Sequence, residues 1–140
     1  MGQMTSMFSS FSGEKWNFEK VLSHSQKSSK ELAESREYLI DVREESEIRG
    51  SGAIPNAINI PLGHVESALK FPKIFDQIVS GSRPFPDAEG DKLIFTCQSG
   101  MRAGRAAVMA QALGYEIVAV YPGSFSVFSS WKILNVILIQ

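Results

Sequence analysis

The sequence predicts one α/β domain in three layers, a mainly parallel sheet of about five strands with helices on both faces. Three observations carry that reading. Short apolar runs at Tyr38–Val42, Ala57–Ile60, Lys92–Cys97 and Glu116–Gly123 do not alternate with polar residues, as strands covered on one face would. Stretches with helical spacing separate these runs. The chain of 140 residues suits a single domain.

The elements follow in order. "WNFEKVLSHSQK" (16–27) places Phe18, Val21 and Leu22 at helical spacing, with room for a short strand before it. "REYLIDVR" reads as a buried strand, and "EESEIRGSG" as a short polar helix or turn closed by glycine. "AIPNAINIPLG" gives a brief strand between Pro55 and Pro61, since proline is tolerated at strand ends and not inside them. "HVESALKFPKIFDQIVSG" is helical with an interruption at Pro72, and "SRPFPDAEGDK" is a loop. "KLIFTC" is a strand, and "RAGRAAVMAQALGY" is a helix ended by Gly114. "EIVAVYPG" is the last strand, and "SFSVFSSW" begins a final helix.

Composition excludes several classes. The hydrophobic content of 44% with 21% charged residues is that of an ordinary globular chain. Fourteen basic against fifteen acidic side chains leave no footprint for nucleic acid. A single cysteine forms no internal disulfide, so nothing indicates an oxidising compartment; the cytoplasm is expected, and the serine-rich start leaves the mitochondrion as the alternative. His24 and His64 stand apart with no second cysteine, so no metal site is expected and both are read as surface residues. No cofactor is implied. Residues 1–15 form a flexible leader, in which Gly2 and Ser6 fit only the loose myristoylation pattern. Residues 131–140 are an apolar tail about half the length of a membrane span, so no membrane partner is expected.

The chemistry concentrates in "TCQSGMRAGRA". Cys97 closes a strand of a parallel sheet, and ligands of such sheets sit beyond the carboxyl ends of the strands. Gln98, Ser99, Gly100 and Met101 turn the chain into a helix starting near Arg102. A tight loop ahead of a helix gathers backbone N–H groups, and the helix dipole adds positive potential, so an anion there is stabilised. A cysteine thiolate is such an anion, and an exposed sulfur at the mouth of that pocket is expected. Gly100 fits a backbone angle or a close approach that a side chain forbids. Arg102 supplies a fixed charge with planar donors. Small residues at 103, 104, 106, 107 and 110 let the helix pack close. The plain alternative is a cysteine acting as a small buried hydrophobe. Cysteine-dependent phosphatases place five residues between cysteine and arginine, whereas four stand here. The smaller ring suits a cysteine-bound sulfur better than a tetrahedral oxyanion.

These residues resemble the rhodanese family. "CQSGMRA" is similar to the rhodanese active-site loop, in which cysteine, glycine and arginine recur at this spacing. "DVREESEIRGSGAIPNAINIPL" resembles the long rhodanese signature, and "YPGSF" a third family segment. The likeness covers roughly residues 16–130, the expected domain, and is strongest to the small single-domain group, some of which pass sulfur to glutathione. It implies a sulfurtransferase with a ping-pong reaction: Cys97 takes a sulfane sulfur from thiosulfate or a related persulfide donor, and a small thiol or cyanide removes it. With no second cysteine the acceptor comes from outside, and a protein acceptor or partner is the alternative. The loop amides of 98–102 would hold the terminal sulfur. Asp41 and Arg43 match the Asp-Val-Arg motif: Asp41 is expected to brace neighbouring backbone or loop groups, while Arg43 either lines the pocket rim or pairs with Glu44 or Glu47. Arg105 reads as a surface arginine. Two departures stand out: Met101 where many thiosulfate-using relatives carry a cation, and Phe128 where the family often has tryptophan.

Overall fold

The computed structural model describes the backbone of residues 11–139 and the side chains of residues 11–131. The first ten residues of the expected leader, Gly2 and Ser6 among them, lie outside the described residues.

Five parallel strands form one sheet: β1 (Glu14–Lys15), β2 (Glu37–Asp41), β3 (Ile58–Asn59), β4 (Lys92–Thr96) and β5 (Ile117–Val120), in the order β1-β5-β4-β2-β3. Seven helices accompany them among the described residues: α1 (Phe18–Ser25), α2 (Ser29–Ser35), α3 (Glu45–Ser51), α4 (Leu62–Lys70), α5 (Pro72–Val79), α6 (Met101–Ala112) and α7 (Ser124–Ile139). The fold class is therefore the one expected. β1 falls inside the stretch assigned to the leader, and α7 runs unbroken across residue 131. Pro72 does more than interrupt: it starts a second helix at N1, where its missing N–H is no loss. Helix α2 has no counterpart in the sequence reading. It carries no buried residue, and its start is a capping box in which Ser28 Oγ accepts from Glu31 N–H and Glu31 accepts from Ser28 N–H.

Residues of one strand divide between two cores, which is what makes the layers. Tyr38, Ile40, Leu93, Phe95, Val118 and Val120 pack with α4, α5 and α6 on one face. Leu39, Ile94 and Ala119 face the other way, against Trp16, Val21, Phe125 and Phe128 of the α1 and α7 side. Because both faces are covered, the strands need apolar residues at consecutive positions.

Register then places the site. β2 pairs β4 with Asp41 opposite Thr96, and Val42 N–H donates to Thr96 O at 2.9 Å. The chain leaves β2 toward β3 on one side and returns to build β4 and β5 on the other. The reversal makes the carboxyl ends of β2 and β4 the switch point of the sheet, where ligands of such sheets bind. Residues 41–43 and 97–102 meet at that edge.

Candidate active site

Cys97 follows the last residue of β4, and its geometry is set from three sides. Its backbone N–H donates to Ser124 Oγ at 3.1 Å, while Phe125 N–H donates to Cys97 O at 2.9 Å and Ser126 N–H to Gln98 O at 3.1 Å. The start of α7 thus holds the loop from outside. On the inside, Ala103, Ala106, Ala107 and Ala110 of α6 are fully buried and let that helix lie against the sheet. Gly104 has no such duty, since a Cβ there would meet nothing within 4 Å.

Gly100 is required twice over. Its φ is +105°, and a Cβ would stand 2.7 Å from Pro122 O. That conformation turns its N–H onto Cys97 Sγ at 3.0 Å, at the amino end of the twelve-residue α6. An amide donor and the positive end of a helix dipole both favour the thiolate. The expected exposure is corrected, however: Cys97 is only 1% exposed. α6 and the first turn of α7 close around the strand end, so the sulfur is covered while still bonded to the loop. A cavity of about 580 Å³ lined by Glu45, Asn59 and His64, among others, lies beside β3 and includes no residue of the loop.

Arg43 is neither a rim residue nor a partner of Glu44 or Glu47. It is 0% exposed and pairs with Asp41, Nη2 to Oδ2 at 2.8 Å. The reason is chain geometry: both lie at the end of β2, where Asp41 Oδ1 also accepts the Arg43 backbone N–H at 3.0 Å. Asp41 therefore braces neighbouring groups, as its place in an apolar strand demands. The guanidinium further donates to Ser51 Oγ and Gly52 O, stands 4.3 Å from the Phe125 ring centre, and reaches Gln98 Oε1 at 3.5 Å. It links β2, α3, α7 and the loop.

Arg102, on the first turn of α6, does not stand free beside the sulfur. It makes a two-pronged pair with Glu47 of α3, at 2.7 and 3.0 Å. That bond holds the Glu47 carboxyl down to about 2 and raises Arg102. Of the remaining loop residues, Gln98 is half-buried, Ser99 exposed, and Met101 69% exposed. Arg105 is exposed. His64 is exposed too, but His24 is 1% exposed and hydrogen-bonded to Glu37 at 3.2 Å, so its assignment to the surface is corrected. Helix α1 turns that side of its last turn onto the sheet. Among the described residues no cluster of histidine, cysteine and acidic side chains could hold a metal ion.

Sequence reasoning missed Ser124 and misplaced Glu47. Ser124 had a signal in "YPGSF"; its φ of +55° aims its hydroxyl at the loop. Glu47 had none beyond a spacing of three from Glu44, whose N–H its Oε2 accepts at 2.8 Å.

Residues 25–130 match the family described as the rhodanese-like domain. The chain belongs to that family. Thiosulfate:glutathione sulfurtransferase of Homo sapiens is 39% identical over 95 residues, 67% of this chain and 80% of that protein. The mitochondrial thiosulfate sulfurtransferase RDL2 of Saccharomyces cerevisiae is 38% identical over 92 residues, 65% of this chain and 59% of that one. Among solved structures, the human single-domain sulfurtransferase TSTD1 superposes with a TM-score of 0.69 at 32% identity, covering 84% of this chain and 96% of its own. This rhodanese-like chain is accordingly an enzyme of the sulfurtransferase class. No helix among its described residues is long and apolar enough to cross a membrane.

Proposed function

We propose that the enzyme moves a sulfane sulfur from thiosulfate, or a related persulfide donor, to a small thiol such as glutathione through a persulfide on Cys97. The observation that carries this reading is the Gly100 N–H 3.0 Å from Cys97 Sγ at the start of α6, with Arg102 on the first turn of that helix. A sulfur anion is stabilised there by an amide, a helix dipole and a guanidinium at once.

In the first half-reaction the Cys97 thiolate attacks the outer sulfur of thiosulfate. The thiosulfate S–S bond breaks, its electron pair leaves with sulfite, and Cys97 keeps a terminal sulfur carrying one negative charge. In the second, an external thiolate attacks that terminal sulfur, restoring the Cys97 thiolate and leaving a persulfide on the acceptor. Charge is conserved in both steps and no redox cofactor enters. Asp41 and Arg43 act as supports, and Gln98, Ser99, Gly100 and Met101 as the substrate-facing loop. A lone cysteine suits a reducing compartment, the cytoplasm first, with the mitochondrion raised by the yeast relative's name.

Exposed Met101, the last residue of the loop, favours a second reading, sulfur relay to a protein acceptor, which shares the first half-reaction. Mass spectrometry after incubation with thiosulfate tests the proposal. A gain of about 32 Da on Cys97, reversed by glutathione and absent in Cys97→Ser, is the expected result. An unmodified protein overturns it, and an adduct that small thiols leave in place transfers the case to the relay.

A further inference from the structure

Both arginines next to the loop are anchored on one short helix. α3 spans Glu45–Ser51, and its carboxyl end receives Arg43 through Ser51 Oγ at 3.0 Å and Gly52 O at 2.9 Å. Its first turn receives Arg102 through Glu47. Glu47 is itself fixed, because the same carboxylate accepts the Glu44 backbone N–H. A short helix rooted at the end of β2 therefore reaches across 55 residues of sequence to hold the first turn of α6.

An arginine without such an anchor samples many rotamers, and ordering its side chain costs conformational entropy at each turnover. Glu47 removes that freedom beforehand. Its negative charge has a second effect: standing against the guanidinium, it weakens the positive field that Arg102 casts on Cys97. We propose that Glu47 is the positioning residue of Arg102, holding the guanidinium in place for the sulfur-bearing intermediate and tempering its charge at Cys97 Sγ. The inference rests on the reading of Cys97 as the sulfur carrier for its kinetic part only. The effect on thiol reactivity follows from charge and geometry whatever Cys97 carries.

Glu47→Gln separates these roles from helix capping, since the glutamine oxygen still accepts from Glu44 N–H while the charge is gone. Two measurements are made on the full chain. Alkylation of Cys97 by neutral iodoacetamide at fixed pH should quicken by about threefold, because the negative charge of Glu47 itself is gone from the surroundings of the sulfur wherever the Arg102 guanidinium then lies. Steady-state turnover with thiosulfate and glutathione should lose roughly tenfold in kcat with a smaller change in KM, as Arg102 loses its seat. In the Arg102→Ala background, Glu47→Gln should cost no further kcat. An unchanged alkylation rate, or an equal loss of kcat in that background, overturns the proposal and leaves Glu47 a helix cap. Should the unaltered protein form no adduct with thiosulfate, the sulfur-transfer reading fails by itself, and the alkylation rates still decide the role of Glu47.

Discussion

The backbone N–H of Cys97 is held by Ser124 Oγ at 3.1 Å, and that hydroxyl in turn donates to Tyr121 O at 2.9 Å. The candidate nucleophile is thus placed by a residue 27 positions later, the first of α7. Ser124 is fully buried, so no water replaces it. Ser124→Ala leaves a buried N–H without an acceptor, and urea unfolding should show a loss of about 1–3 kcal/mol. Thiol reactivity should change alongside, because the strand end that carries the sulfur is no longer pinned. A variant as stable as the parent would show that the hydroxyl is dispensable.

Gly100 tests the loop itself. Gly100→Ala sets a Cβ 2.7 Å from a backbone oxygen at a φ of +105°, a backbone contact that no side-chain rotation relieves. The chain should lose about 1–3 kcal/mol, and the displaced N–H should leave Cys97 slower to alkylate. Stability and reactivity falling together is the expected pattern. Unaltered alkylation would mean that the 3.0 Å contact does not set the thiolate population.

Burial of the sulfur predicts selectivity by size. With Cys97 at 1% exposure, small reagents should react well ahead of bulky aromatic disulfides of equal intrinsic reactivity. Competition kinetics on the native protein measure this, with the unfolded chain in denaturant as the reference in which the difference vanishes. Equal rates on the native protein would contradict the closed packing of α6 and α7 around the strand end.

Much of this architecture was legible because its causes are local. Unbroken apolar runs such as Tyr38–Val42 mark strands covered on both faces, and Gly100 announces a backbone that only glycine adopts. The loop spacing between Cys97 and Arg102 is a property of consecutive residues. What escaped among the charged residues was settled by the folded geometry rather than by the local sequence. The partner of Arg43 is two residues away but is chosen by the end of β2, and the partner of Arg102 lies 55 positions off on α3. Charge alone cannot tell which of four nearby carboxylates, at 41, 44, 45 and 47, each arginine takes. Helix α2 escaped for the opposite reason: it buries nothing, so it has no apolar stripe to read, only its cap.

The Asp41–Arg43 pair makes a sharper energetic prediction. Both side chains are at most 1% exposed, so removing the negative partner strands a guanidinium in the core. Asp41→Ala should cost about 3–5 kcal/mol, whereas the double change Asp41→Ala, Arg43→Leu should recover a good part of it by removing the unpaired charge. Thermal unfolding of the three variants decides it. A double variant no better than Asp41→Ala would show that the wider network, Ser51 and Gly52 included, carries the stability instead of the pair.

His24 supplies a pH dependence whose sign is fixed by its surroundings. Burial is the main influence and pushes its imidazolium below the usual range near 6.5; the bond to Glu37 opposes this, and Arg83 and Lys27 add to it. The neutral ring donates from Nδ1 to the Glu37 carboxylate, so the contact is a hydrogen bond rather than an ion pair at neutral pH. A lowered folded value means that the unfolded chain binds the proton more readily. The contribution is therefore whole above pH about 6.5 and is lost as the pH falls from there toward the lowered folded value. Melting temperature should drop as the pH falls below about 6.5, and His24→Gln should flatten that part of the profile even though it lowers the whole curve. A slope left intact in His24→Gln would assign the acid sensitivity to the carboxylates.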